Sequence, residues 1–321
     1  MHAIVLHEYG PAENLKYETV ADPEPGPGQV RIAVRAAGVH FIETVMRTGK
    51  RTELAPPPPE LPSIFGGEAA GTVESVGTDV DAAWLGARVV VSASRPGGYA
   101  ELAVAEVSAL HRIPDDVGFE AAVAMVVTGT TALQFLDVAQ LTAEDTVLIT
   151  SAAGGVGQLL VQYARGLGAT VIGAAGGPAK VEIVRALGAD LVLDYNEPGW
   201  EKAVDGQVVT VVLDGVGGSK AEAAYSLLAD GGRYLTIGTS SQQDHVPDPE
   251  LAAARGITTR NALVELLGRL DESPDFEVRA LAAVADGKLV PAVHTFPLAE
   301  ASAAHAALEN RATSGKVVLV P

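Results

Sequence analysis

The sequence predicts an α/β chain in which a doubly wound parallel sheet is set into a barrel-like domain of short strands. Two observations carry this reading: a change of period near residue 119, and a return to strand-like text after about 288. Up to about residue 116, alternating runs at 30–36, 71–76, 87–91 and 99–104 are punctuated by glycine and proline clusters at 23–28, 56–59 and 95–98. Many short strands separated by turn residues read as a β-barrel. One helix, over 41–47, interrupts them, and the prolines of 56–59 read as a stiff surface loop. A long helix follows from 119 to about 138. Strands at 146–150, 170–174, 191–193, 210–213 and 233–237 then alternate with helices that include 158–167, 179–187 and 220–228. Such alternation implies parallel strands with helices on both faces. Strands at 289–296 and 316–320 flank a last helix over 299–309 and are expected to rejoin the first domain. The expected division is therefore 1–122 with 289–321 for the barrel-like domain, and 123–288 for the parallel sheet.

Composition narrows the class. The chain has 321 residues, 48% of them hydrophobic, and a formal net charge of −18. That charge argues against nucleic acid or an anionic membrane as a partner. It also requires any anionic ligand to be held by a local cluster of donors. Met1 to His7 is too short for a secretory signal, and no run is expected to reach the ~18 apolar residues of a membrane span, so the location is expected to be cytoplasmic. There is no cysteine, which removes disulfides, thiolate nucleophiles and zinc–sulfur ligands.

The segment Thr146-Val147-Leu148-Ile149-Thr150 runs into Ser151-Ala152-Ala153-Gly154-Gly155-Val156-Gly157 and then into an amphipathic helix. A buried strand, a glycine turn and a helix in that order make a nucleotide-binding βα unit. Backbone N–H groups approach a pyrophosphate at the helix N-terminus, where the dipole favours negative charge. Alanines replace the early glycines of the full G-x-G-x-x-G, so a tight turn without a ligand is the competing reading. In such folds an acid at the end of the second strand binds the ribose hydroxyls of NAD. Here that strand ends Gly173-Ala174-Ala175-Gly176-Gly177, with no carboxylate before Glu182. The small, uncharged stretch leaves room for a 2′-phosphate, Lys180 stands just beyond it, and Tyr195 offers a hydroxyl. NADPH is therefore the expected cofactor.

The order of these parts resembles the medium-chain dehydrogenase/reductase superfamily across essentially the whole chain. Four strings, residues 38–44, 66–73, 151–157 and 311–316, narrow the resemblance to the zinc-free quinone oxidoreductase branch that includes zeta-crystallin. The resemblance implies a GroES-like barrel joined to a Rossmann domain, a cleft between them, a homodimer through the sheet edge near 256–261, and no metal. Zinc enzymes of the superfamily use two cysteines and the histidine of a Gly-His-Glu string. This chain has Gly66-Gly67-Glu68, and the cysteine-rich lobe is missing after Ser94.

By the same resemblance, Gly154, Gly155 and Val156 cover the pyrophosphate, and Gly176, Gly177, Lys180 and Tyr195 hold the 2′-phosphate. Gly215, Ile237, Gly238, Thr239, Ser240, Thr131, Thr44, His40 and Arg311 are the remaining cofactor contacts it implies. Two positions depart from the family. His40 stands where the stretch usually begins with Asn, and Val45 and Arg51 match tyrosines that line the quinone pocket of some members. His40 is either a proton donor to the reduced acceptor or a wall of the cofactor pocket. Val45 and Arg51 are candidate substrate positions.

The other histidines (His2, His7, His111, His245, His294 and His305) show no metal-ligand spacing and read as surface or strand residues. No serine lies in G-x-S-x-G, so hydrolase chemistry has no support. Glu68 and Arg47 are candidates for a buried structural pair. The expected activity is NADPH-dependent, metal-free hydride transfer to a conjugated acceptor such as a quinone. Reduction of an enone or enoyl thioester is the alternative, though a thioester carrier needs a basic entrance and only Lys50, Arg51 and Arg95 offer one. A non-catalytic NADPH-binding protein is the third reading.

Overall fold

The computed structural model describes residues 1–51, 57–92, 97–204 and 206–321. Pro56 of the proline cluster, Arg95 and Pro96 of the glycine-rich turn, and Ser94 lie outside the described residues. The chain divides into two compact units, one formed by Met1–Thr130 with Glu277–Pro321 and the other by Thr131–Phe276.

In the first unit, strands β1 (His2–Leu6), β2 (Leu15–Thr19) and β3 (Gln29–Val39) lead into helix α1 (Phe41–Arg47). Strands β4 (Ser63–Ile64), β5 (Glu68–Val76), β6 (Arg88–Ser92), β7 (Leu102–Glu106) and β8 (Leu110–Arg112) follow, then helix α2 (Phe119–Ala124). Across the boundary lies α3 (Thr130–Ala139). The second unit alternates β9 (Thr146–Ile149), α4 (Gly155–Leu167), β10 (Thr170–Ala175), α5 (Pro178–Ala186) and β11 (Leu191–Asp194). It continues with β12 (Val209–Asp214), α6 (Gly218–Ser226), β13 (Leu228–Thr236), α7 (Pro249–Ala254), β14 (Thr258–Asn261) and α8 (Ala262–Leu267). The chain ends through α9 (Ser273–Ala285), β15 (Val293–Pro297), α10 (Ala301–Glu309) and β16 (Lys316–Val320).

The first unit is built on antiparallel pairing, apart from β15, which runs parallel to β16. A seven-stranded sheet runs β15-β16-β3-β5-β6-β8 with β7 added to β3, beside a three-stranded sheet β2-β1-β4. Along the start of β3 burial alternates, as expected of a strand with one face inward. Ile4, Leu6, Ile32, Val34, Val89 and Leu319 meet in one core, where full burial of each large aliphatic side chain contributes about 1.5–3 kcal/mol. The second unit is a parallel six-stranded sheet of order β11-β10-β9-β12-β13-β14. Its core gathers Leu148, Ile172, Val212, Leu228 and Tyr234. The strand order reverses between β9 and β12, and ligands of such sheets bind outside the carboxyl ends at that point.

Several sequence expectations need correction. The helix expected over 119–138 is interrupted by a π-turn at Met125–Gly129. The whole segment Phe119–Ala139 is long and apolar enough to cross a membrane, contrary to expectation, but 78% of its apolar window is buried within the protein. That is the pattern of a core helix. Of the strand expected over 289–296 only Val293–Pro297 forms, and Leu228 opens β13 instead of closing α6.

Candidate active site

Three strand ends of the parallel sheet bring together the glycine turns expected to hold a nucleotide. After β9 the chain turns through Ser151, whose φ is +54°, and enters α4 with Gly154 as N-cap. Gly155 and Val156 form the first turn, so their N–H groups are among those a helix leaves unpaired. Gly157 is required by contact: a Cβ there would lie 2.3 Å from the Ser151 carbonyl oxygen. After β12, the buried Asp214 organises the neighbouring turn. Its Oδ1 accepts from Thr150 Oγ1 at 2.7 Å and from the Val216 N–H at 3.1 Å, and its Oδ2 from the Gly217 N–H and Tyr234 Oη at 3.1 Å each. Burial pushes the Tyr234 hydroxyl pKa far up, with Asp214 adding to it, so this tyrosine stays a donor.

The Gly215 N–H in turn donates to Thr150 Oγ1 at 2.9 Å. After β13, Ile237 and Gly238 donate to the Asp214 carbonyl at 2.7 and 3.2 Å, and Ser240 to that of Gly215 at 3.2 Å. Gly215, Ile237, Gly238, Thr239 and Ser240 are thus brought to one place, with Asp214 as an organiser that sequence reasoning missed. An acid closing an apolar strand before Gly-Val-Gly-Gly is the signal that marks it.

At the end of β10, Gly176 and Gly177 lead into α5, with Lys180 in its first turn. A Cβ on Gly176 would come 2.9 Å from the Tyr195 ring, so Gly176, Gly177 and Tyr195 meet at this turn, with Lys180 on the helix that leaves it. Asp194 is the nearby acid. Its Oδ1 accepts the N–H groups of Gly177 and Asn196 at 2.9 Å each, which turns it toward the backbone. Lys220 joins this cluster from α6. Its Nζ lies 4.0 Å from the Tyr195 ring centroid and donates to Asn196 Oδ1 at 2.7 Å. No local pattern announces it. Thr131 lies in the first turn of α3.

The first unit carries a second constellation around His40, the N-cap of α1. Glu43, three residues on, accepts the His40 N–H at 2.8 Å, the reciprocal half of a capping box. The His40 ring reaches the fully buried Glu68 (Nε2 to Oε1, 3.0 Å), and the Lys316 Nζ is 2.5 Å from the same oxygen and 3.2 Å from both ring nitrogens. Burial pushes the Glu68 carboxyl up, but His40 and Lys316 more than offset this and hold it below its usual range. Thr44 is buried in α1, its hydroxyl donating to the Phe41 carbonyl at 2.7 Å. The Arg311 guanidinium lies 4.3 Å from the Phe41 ring centroid, which brings it to the start of the same helix. Val45 is half-buried on α1, while Arg51 is exposed beyond the helix end.

Glu43 continues the network inward, accepting from the Gly67 N–H at 2.8 Å and from Tyr99 Oη at 2.7 Å. His305 Nε2 stands 3.2 Å from that hydroxyl. Expected to be a surface or strand residue, His305 is instead fully buried in α10. Burial, with the Arg47 charge, lowers its pKa to about 3. Arg47 itself does not pair with Glu68. It binds Glu309 and the Gly10 carbonyl, because Lys316 and His40 already occupy the Glu68 carboxylate.

Zinc does not fit this constellation. Residue 67 is glycine, the chain has no cysteine, and an ammonium group already lies against Glu68. Among the described residues no group of three or more metal-ligating side chains gathers anywhere.

A doubly wound sheet with a glycine-lined helix N-terminus, carried with a GroES-like sheet unit, defines a two-part dinucleotide-dependent dehydrogenase or reductase. The alcohol dehydrogenase GroES-like domain matches residues 26–115, and the zinc-binding dehydrogenase family matches 187–319. The chain is 33% identical to a quinone oxidoreductase of Pseudomonas aeruginosa, over 98% of this chain and 97% of that one. It is equally 33% identical to a 2-haloacrylate reductase of Burkholderia, covering 99% and 98%. Among solved structures, a mycobacterial protein complexed with NADPH superposes with a TM-score of 0.86 at 36% identity, and the Escherichia coli quinone oxidoreductase complexed with NADPH with 0.86 at 30%, each over 100% of both chains. The chain belongs to the zinc-free quinone oxidoreductase branch of the medium-chain dehydrogenase/reductase superfamily.

Proposed function

We propose that this protein is an NADPH-dependent oxidoreductase that reduces a conjugated acceptor, a quinone in the first instance. The observation that carries the reading is the turn after β10. It offers Gly176, Gly177 and Lys180 where an NAD-binding site presents an acid, and Asp194 is bonded to backbone N–H groups. The two NADPH complexes among its relatives support the same cofactor. Gly154, Gly155 and Val156 hold the pyrophosphate, and Gly176, Gly177, Lys180 and Tyr195 the 2′-phosphate. The remaining contacts are Gly215, Ile237, Gly238, Thr239, Ser240, Thr131, Thr44, His40 and Arg311. When bound, NADPH supplies a hydride from its nicotinamide ring.

Hydride addition to a quinone leaves an oxyanion that must take a proton. His40, whose side chain is 20% exposed against 5% for Lys316 and 0% for Glu68, is the member of its cluster most open to an acceptor and is the proposed donor. Glu68 orients the ring, and Val45 and Arg51 are the positions that tune the acceptor. A second reading, reduction of an activated carbon–carbon double bond, is favoured by the 2-haloacrylate reductase relative. We further propose a cytoplasmic homodimer, with no nucleic-acid or membrane partner. Its second copy pairs at β14, where all four residues are exposed at the sheet edge. Elution at the monomer mass in gel filtration argues against the dimer.

The deciding assay is NADPH oxidation by the purified protein with 1,4-benzoquinone, 9,10-phenanthrenequinone and an enoyl thioester in parallel. Turnover with the quinones is expected. Turnover with the thioester alone transfers the protein to the double-bond reading, and silence with all three despite tight NADPH binding leaves a binding protein.

A further inference from the structure

Lys220 stands apart from the arginines of the parallel-sheet unit. Arg165, Arg185, Arg233, Arg255, Arg260 and Arg269 each lie against a carboxylate. Among the described residues Lys220 forms no ion pair. Its half-buried ammonium is held by an aromatic face at 4.0 Å and a neutral amide oxygen at 2.7 Å. Burial lowers its pKa, with Asp194 pulling the other way. Such contacts fix an ammonium without neutralising it, so its charge stays available to an incoming anion.

The surroundings identify the anion. Tyr195 and Asn196 line the turn after β10, where a Cβ on Gly176 would come 2.9 Å from the Tyr195 ring and 3.1 Å from Asn196 Nδ2. Beside Gly177 the space is open, since a Cβ there would meet nothing within 4 Å. The turn's positive φ of 91° at Gly177 keeps that opening free of side chain. A phosphate monoester carries about −1.5 to −2 charges at neutral pH, and in a chain of net charge −18 a second local cation strengthens the hold on it against the overall field.

We propose that Lys220 is a second cation for the adenosine 2′-phosphate, acting with Lys180, so that the choice of NADPH over NADH is divided between two lysines from different helices. The proposal rests on the cofactor reading above and deepens it. Tyr195 and Asn196 preorganise Lys220, which lowers the ordering cost when the phosphate arrives.

Calorimetric titration of the full chain with adenosine 2′,5′-bisphosphate and with 5′-AMP tests this, because the two ligands differ by the 2′-phosphate alone. Lys220→Met should weaken the bisphosphate roughly tenfold or more, as loss of a charge-assisted contact does, and 5′-AMP by less than about twofold. Lys220→Arg should recover most of the bisphosphate affinity, and an unchanged Tm confirms that each variant is folded. Equal weakening of both ligands, or of neither, overturns the proposal and makes Lys220 a packing residue on Tyr195. Lys180→Ala separates this from failure of the underlying reading. If the wild type binds both nucleotides equally and Lys180→Ala changes neither, the 2′-phosphate site itself is wrong. Selective loss in Lys180→Ala without any in Lys220→Met removes Lys220 alone.

Discussion

The Lys316 ammonium lies 2.5 Å from the Glu68 carboxylate, with the two side chains 5% and 0% exposed. They stand on β16 and β5, which flank the Gly38 end of β3, and Gly38 makes the room between them. A Cβ at Gly38 would lie 1.7 Å from Glu68 Oε1 and 2.8 Å from Lys316 Cε. Removing one partner of a buried pair strands the other charge, whereas removing both does not. Lys316→Met leaves Glu68 with His40 as its remaining partner and should cost up to about 3–5 kcal/mol of stability. Lys316→Met with Glu68→Gln should recover much of that loss. Urea unfolding of the single and double variants checks the cycle; additive losses would mean the pair is not coupled.

Elements with strong local periodicity were legible in the sequence. Residues 41–47 form the helix expected there, and β9, β10 and β12 follow the apolar runs that announced them. Boundaries set by glycine were not: α4 begins at Gly155, three residues before the expected start, because a helix N-terminus tolerates glycine that propensity counts against. The glycine turns and Lys180 were readable because a backbone constraint and a charge carry their own meaning. The networks were not. Tyr99 finds Glu43 across 56 residues of chain and His305 across 206, and no local pattern encodes such a meeting. Lys316 was visible only inside the string Ser314-Gly315-Lys316, with nothing to say it would reach His40.

His40→Asn separates the two roles of that residue. Asparagine preserves a hydrogen-bonding wall but cannot carry a proton, and general acid catalysis contributes about 10²–10⁴-fold. With a quinone acceptor, kcat should fall at least about a hundredfold while NADPH affinity stays within a few-fold. The pH dependence of kcat should flatten at the same time. A variant that keeps both its turnover number and its pH profile removes the acid role and leaves the wall.

His305 gives the fold an acid-sensitive point. Its folded pKa of about 3 lies below the 6.5 of the free side chain, so the unfolded chain binds the extra proton between those values. Stability from this residue is complete above pH 6.5 and is lost as pH falls toward 3. The shift corresponds to about 2 kcal/mol between pH 8 and pH 5. His305→Gln can keep a donor toward Tyr99 and has no proton to gain. The difference between wild type and variant in unfolding free energy, taken from urea titrations at both pH values, should therefore change by that amount in favour of the variant at pH 5. A constant difference would place the titrating group elsewhere.

Lys180 sits in the first turn of α5, beside the Gly176–Gly177 turn and with no aspartate or glutamate in that turn. Its ammonium reinforces a helix N-terminus that already favours an anion. NADPH and NADH differ only by the 2′-phosphate, so a contact to that group acts on one cofactor alone. Lys180→Ala should raise the Michaelis constant for NADPH by about tenfold or more, the loss expected for one charge-assisted hydrogen bond, and leave that for NADH within about twofold. Steady-state kinetics with saturating quinone gives both constants on one preparation. Parallel increases would mean that Lys180 supports the fold of the turn and does not recognise the phosphate.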